Sequence, residues 1–132
     1  MFKKIDHIGI AVSDLEKMVC IFRDQLGLEY KGEEEVPDQK VRTAFFPIGE
    51  SKIELLQTTD PEGPIGKFIV KKGEGVHHIA LGVSDIEAKI RELKEQGTVM
   101  IDEKPRSGAG GAKIAFIHPK STGGVLVELC QR

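Results

Sequence analysis

Cysteine is scarce: the 132 residues include only Cys20 and Cys130, with no CxxC spacing, which argues against a disulfide framework or a zinc knuckle and predicts two reduced thiols. No apolar run approaches the roughly 20 residues that a membrane-spanning helix needs, and Met1 to His7 lacks the apolar stretch of a signal peptide, so a cytoplasmic protein with no membrane partner is expected. Nor is there an excess of one charge. Nineteen Lys and Arg are interspersed with 21 Asp and Glu, a formal net charge of -2, so no basic stripe marks a nucleic-acid surface and no nucleic-acid partner is expected. What remains is length enough for one domain over residues 1–132, able to bury roughly two-thirds of its unfolded surface without staples.

The chain repeats itself. His7-Ile8-Gly9-Ile10-Ala11-Val12-Ser13-Asp14-Leu15-Glu16 returns as His78-Ile79-Ala80-Leu81-Gly82-Val83-Ser84-Asp85-Ile86-Glu87, an offset of 78 − 7 = 71. Ile53-Glu54-Leu55-Leu56-Gln57 returns as Val127-Glu128-Leu129-Cys130-Gln131 at 128 − 54 = 74, which places about three extra residues in Ser107 to Gly111 or in Ser121 to Gly124. A period this long, seen twice, describes two fused modules, about 3–57 and 75–132, around a linker at 58–74.

Each module reads βαβββ, an α+β fold. Ile5 to Val12 alternates as a strand, with Ile8, Ile10 and Val12 on one face and His7, Gly9 and Ala11 on the other. Ser13 or Asp14 caps a helix whose apolar residues Leu15, Met18, Val19, Phe22 and Leu26 precede Gly27; Ser84 or Asp85, then Ile86, Ile90 and Leu93, precede Gly97. Three strands follow each helix: Leu28 to Glu34, Val41 to Ile48 and Lys52 to Gln57, then Thr98 to Glu103, Ala112 to His118 and Gly124 to Cys130. In the linker, Phe68 to Val70 is expected in a short helix or turn. Two such modules in tandem predict a curved mixed sheet around a cleft.

The repeat pairs His7 with His78 and Glu54 with Glu128. Small residues share the face of each imidazole and leave room for a ligand, while a carboxylate interrupting an apolar run is costly to bury unless paired or metal-bound. A divalent ion held by all four removes that cost and keeps two positions open for substrate oxygens if six-coordinate. Single strand histidines and glutamates are more often hydrogen-bonded residues of a core or rim; the symmetric set is what favours a metal. His77 is expected to face away from His78 and to support the site from behind or pack in the core, and Glu33-Glu34-Glu35 to be a solvated face. His118 opens a turn, where surface chemistry and substrate contact are both open.

The same features resemble the vicinal oxygen chelate superfamily over essentially the whole chain. More narrowly, IDHIGIAVSDLEK, PIGKFI, GEGVHHIALGVSDI, DEKPRSGAGGAKIAFIHPK and GVLVELCQ are similar in order and content to the methylmalonyl-CoA epimerases. The resemblance implies His7, His78 and Glu128 as metal ligands, with Glu54 in a fourth position where some members carry Gln. It also implies Glu128 as one catalytic acid/base, a cobalt ion ahead of manganese, nickel, zinc or iron, an acyl-CoA substrate and a homodimer. Some members carry the second catalytic Glu where this chain has Thr43, a poor base, which leaves Glu35, Glu50, Glu54 or a water open for that role. Gly108, Gly110, Gly111, Lys113, His118 and Lys120 are candidate substrate contacts. The rival readings are another metalloenzyme on this scaffold, a glyoxalase-type lyase or isomerase or a dioxygenase, and a metal-free small-molecule-binding protein.

Overall fold

The computed structural model describes Met1 to Arg132. In chain order the elements are β1 (Phe2–Ala11), α1 (Leu15–Cys20), which continues into a wider π turn (Ile21–Gln25), β2 (Glu33–Val36), β3 (Val41–Ile48), β4 (Ser51–Thr58), α2 (Pro64–Lys72), β5 (Gly75–Val83), α3 (Ile86–Glu95), β6 (Arg106–Ser107), β7 (Lys113–Ile117) and β8 (Val127–Gln131). The eight strands form one curled mixed sheet in the order β2-β3-β4-β1-β5-β8-β7-β6. β1 runs parallel to β4 and β5 parallel to β8, while β1 and β5 join the modules antiparallel at the centre. The expected βαβββ order is therefore written twice.

Local chemistry repeats with it. Asp14 caps α1 by accepting from the Lys17 amide at 3.1 Å, and Asp85 caps α3 from the Ala88 amide at 3.1 Å. A second orphan amide at each helix start is taken by a glutamine of the module's last strand, Leu15 N by Gln57 Oε1 at 2.6 Å and Ile86 N by Gln131 Oε1 at 2.7 Å. Each helix is thereby pinned to its own sheet. The apolar stripes lie on the convex side, where Leu15 and Val19 pack with Phe46 and Leu55, and Ile86 and Ile90 with Ile117 and Leu129. The concave side is lined by two further clusters, one around Val41, Leu56 and Ile65 and one around Ile114, Phe116 and Cys130.

The edges depart from the sequence-based expectation. β2 occupies Glu33–Val36 only; the preceding segment packs Leu28 and Tyr30 onto the first core, and Gly32 turns the chain at φ 94°. Thr98 to Glu103 is not a strand, and the second module's edge strand is Arg106–Ser107. The cause is a side chain that takes the place of a ladder partner: the Ile101 amide donates to Phe116 O at 2.8 Å, but the Phe116 amide donates to Asp102 Oδ2 at 2.9 Å, leaving a single bridge at Met100. The linker holds a longer helix than expected, α2, with Pro64 at its start, where the missing amide costs nothing. Gly66 lets this helix sit on the turn before it, since a Cβ there would lie 2.7 Å from the Pro61 carbonyl carbon. The three extra residues fall in the β7–β8 connection. Glu54 pairs with Phe45 and Glu128 with Phe116, spans of 54 − 45 = 9 and 128 − 116 = 12, so the Ser121 to Gly124 stretch carries the insertion.

Candidate active site

The central strands bring the repeated residues together because each module's histidine faces the small residue of the other: His7 lies opposite Ala80 and His78 opposite Gly9. His7 Nε2 and His78 Nε2 are 3.2 Å apart, with the Glu128 carboxylate 3.5 Å from the first and 3.2 Å from the second. His7, His78 and Glu128 are 4, 5 and 3% exposed. Two imidazole nitrogens and a carboxylate facing one another at these spacings match donors arranged about a cation with bonds of roughly 2.0–2.2 Å. The donor set fits a divalent ion, and His7, His78 and Glu128 are its possible ligand groups. Glu54 lies beside this cluster: its Oε2 is 3.4 Å from His7 Nδ1 and has no hydrogen-bond partner. Burial raises the Glu54 carboxyl above its ordinary value, and the neighbouring His7 only partly offsets this.

Two bulges in the β1–β5 ladder complete the cluster. The pairing slips between Ile5 and His7, where Asp6 is the extra residue, and again between Gly9 and Ile10, where the extra residue is His77. Each bulge turns the residue before the histidine onto the histidine's own side. The His7 Nδ1 to Asp6 Oδ1 distance is 2.7 Å and the His77 Nδ1 to His78 Nδ1 distance is 2.9 Å. His77 therefore does not face away, as strict alternation required; it lies against His78 and lines the same cavity. With a cation on both Nε2 atoms, each Nδ1 would carry the proton and donate it to the bulged neighbour, Asp6 in one module and His77 in the other.

Arg132 closes the arrangement, its Nη2 and Nε 2.9 and 3.0 Å from the two oxygens of Asp6. Burial works to raise the Asp6 carboxyl, but the hydrogen bonds from His7 and Arg132 outweigh it and hold it well below the usual carboxylate range. Burial likewise pulls His7 down, yet Asp6, Glu54 and Glu128 together keep it above an ordinary histidine. His77 is pushed down to about 4 by burial and by His78, so it is neutral. Burial pushes the Cys130 thiol up to about 12.

His7, Glu54, His77, His78, Glu128 and Arg132 line a cavity of about 190 Å³ whose apolar walls include Val36, Val41, Leu56, Ile114 and Phe116, with Asp6 behind His7 and outside the lining. Of the candidates for the second acid/base, Glu54 lines it, whereas Glu35 on β2 and Glu50 in the β3–β4 turn are exposed and do not. Gly108 lines it as well. The other candidate substrate contacts lie outside: Gly110 donates its amide to Glu34 Oε1, Gly111 is an exposed turn residue at φ 75°, and Lys113 points toward Glu87 at 4.0 Å. His118 accepts the Lys120 amide at 3.1 Å, capping the turn that follows, and neither side chain reaches the cavity. Nor is the acidic run only a solvated face, since Glu33 pairs with Arg42 at 2.7 Å and Glu34 bridges to the second module. His77 supports the site as a neighbour of His78, though not from the opposite face; Asp6 and Arg132 are additions that the sequence-based expectation lacks, and the available signal for Asp6 is that it precedes His7 as His77 precedes His78, at 77 − 6 = 71.

The fold and site define a class. The chain matches the model of the glyoxalase/bleomycin resistance protein/dioxygenase superfamily over residues 6–116, and it belongs to that family. Several of its relatives there are epimerases, which are isomerases: it is 39% identical to the ethylmalonyl-CoA/methylmalonyl-CoA epimerase of Cereibacter sphaeroides over 99% of both chains. It is 38% identical to the methylmalonyl-CoA epimerase of Mycobacterium tuberculosis, whose crystal structure superposes with a TM-score of 0.95 over 98% of this chain and 88% of that one. A methylmalonyl-CoA epimerase solved in complex with methylmalonyl-CoA and ammonium is 39% identical, with a TM-score of 0.95 over 99 and 95% of the two chains. No helix of the chain is long and apolar enough to cross a membrane.

Proposed function

We propose that this chain interconverts (2R)- and (2S)-methylmalonyl-CoA by 1,1-proton transfer, in the cytoplasm, as a homodimer, each chain acting as one domain of two βαβββ modules. The observation that carries the reading is the convergence of His7 Nε2, His78 Nε2 and Glu128 in a cavity with largely apolar walls, in a chain similar to the epimerases over nearly its full length. The C2 proton lies between a thioester carbonyl and a carboxylate, and its removal leaves an enolate. A divalent ion, cobalt ahead of manganese, nickel, zinc or iron, would supply Lewis-acid stabilisation of the enolate's charge if bound at the cluster.

The chain's own residues do the rest. His7, His78 and Glu128 would hold the ion, with Glu54 beside them as the fourth candidate ligand. Glu128 takes or returns the C2 proton from one face of the acyl group. On the opposite face the second proton carrier is Glu54 or a water next to it, because its carboxyl is raised and has one oxygen without a hydrogen bond. The apolar walls exclude water from the enolate.

Proton NMR of methylmalonyl-CoA in deuterated water tests the proposal. Exchange of the C2 proton is expected with the metal-loaded protein, lost on chelation and restored by cobalt, and reduced at least about 100-fold in Glu128→Ala. Absence of exchange with every divalent ion overturns it.

A further inference from the structure

Three buried side-chain atoms have no hydrogen-bond partner in the protein, Thr43 Oγ1, Glu54 Oε2 and Arg106 Nε, and all three residues line the same cavity. Two of them have a charged neighbour: Glu54 Oε2 lies 3.4 Å from His7 Nδ1, and Arg106 Nε lies 3.2 Å from the Asp102 carboxylate. Thr43 has none. It is 1% exposed, in the middle of β3, between Leu56 on β4 and Glu34 on β2 and with Val41 two residues before it on the same face; the Glu34 carboxylate is turned to the Gly110 amide instead.

A buried hydroxyl without a partner is destabilising, and valine would fill the same β-branched shape without that penalty. The hydroxyl points to a partner that arrives with the cavity's occupant. A threonine is a weak ligand for a divalent ion of the kind two histidines and a carboxylate hold, and it is too weak a base to take a carbon-bound proton, so hydrogen bonding to the substrate is the chemistry left.

We infer that Thr43 is a substrate-binding residue, whose hydroxyl donates a hydrogen bond to an oxygen of the acyl group of a thioester substrate. The inference rests on the acyl-CoA reading of this cavity and adds a role for a position where the resembled family's second acid/base pattern is broken. A hydroxyl there recognises an acceptor oxygen, which methylmalonyl-CoA offers on both its thioester and its carboxylate; propionyl-CoA keeps the first and lacks the second.

The test is calorimetric titration of the cobalt-loaded protein with methylmalonyl-CoA and with propionyl-CoA, for wild type, Thr43→Val and Thr43→Ser, beside thermal unfolding without substrate. Thr43→Val is expected to raise the unfolding midpoint by about 3 °C while weakening methylmalonyl-CoA binding roughly 5- to 30-fold; Thr43→Ser restores the affinity to within about 3-fold. An equal loss for both thioesters places the bond on the thioester oxygen, and a loss confined to methylmalonyl-CoA places it on the carboxylate. Unchanged affinity in Thr43→Val, with wild type binding normally, overturns the inference alone. Failure of the wild-type protein to bind either thioester instead overturns the acyl-CoA reading on which it stands.

Discussion

Residue by residue, the site depends on what stands immediately before each histidine. Asp6 accepts from His7 Nδ1 and is itself gripped by Arg132, so the ring has one orientation and one tautomer, with Nε2 toward His78 and Glu128. The second module solves the same problem with a neutral group, His77, whose acceptor nitrogen meets His78 Nδ1. A carboxylate makes its imidazole a better donor to a cation than a neutral ring does, which makes His7 the more strongly polarised of the pair. Cobalt titration followed by the absorption of the bound ion checks this. Asp6→Asn, which keeps the hydrogen-bond acceptor but not the charge, is expected to bind cobalt about 10-fold more weakly, and Asp6→Ala up to about 100-fold. Equal affinities for wild type and Asp6→Ala would remove Asp6 from the site.

At the scale of the element, β1 and β5 cross with almost no space between backbone and ring. A Cβ on Gly9 would stand 2.6 Å from His78 Nδ1 and 2.8 Å from its Nε2, closer than atoms pack. Its repeat counterpart, Ala80, is tolerated opposite His7, so the modules are alike in register but not in clearance. Gly9→Ala is expected to push His78 out of the cluster, lowering metal occupancy measured by emission spectroscopy and costing about 1–3 kcal/mol in urea unfolding. Gly82→Ala on β5 is the control. The nearest atom to its new Cβ is Lys4 Cγ at 3.3 Å, on a flexible side chain, so occupancy should be retained there. If both variants keep their metal, the close approach at Gly9 is not what sets the position of His78.

For the whole molecule, the pairing of Asp6 with Arg132 ties the first strand to the last residue and so locks one module onto the other. The Asp6 carboxyl lies far below its unfolded value, so its contribution to stability is present above about pH 4 and is lost as pH falls toward the folded value. His7 and Glu54 are shifted upward and act with the opposite sign in the metal-free protein: their contribution is present below their unfolded values and disappears as pH rises through the folded ones. Arg132→Met leaves Asp6 buried without its cation. Because Arg132 is about one-third exposed, the expected loss at pH 7 is about 1–3 kcal/mol, below that for a fully buried pair. The gap from wild type should narrow below about pH 4, as Asp6 takes up its proton in the variant. Urea melts of metal-free protein at pH 7 and 3.5 measure it, and a gap that widens at low pH would contradict this account.

The duplication, the βαβββ order, both helix caps, the strand Val41–Ile48 and the pairing of His7 with His78 and Glu54 with Glu128 were legible in the residues alone. Each depends on short-range rules: the two-residue period of a strand, the side chain that caps a helix, and letters repeated at a fixed offset. The strand ladder alone decided the rest. A bulge is a mismatch between two strands, invisible in either one, and it turned Asp6 and His77 onto the faces of the histidines they precede. The failure of Thr98 to Glu103 to form a strand has the same origin, since Asp102 meets the Phe116 amide only once β7 is in place. Sequence by itself determined which ligand-type residues are equivalent by symmetry. Tertiary structure decided which atoms of those residues meet, that Glu54 approaches from the Nδ1 side of His7, and that Thr43 faces the cavity with no partner, because distances across a sheet are set by pairing partners far apart in the chain.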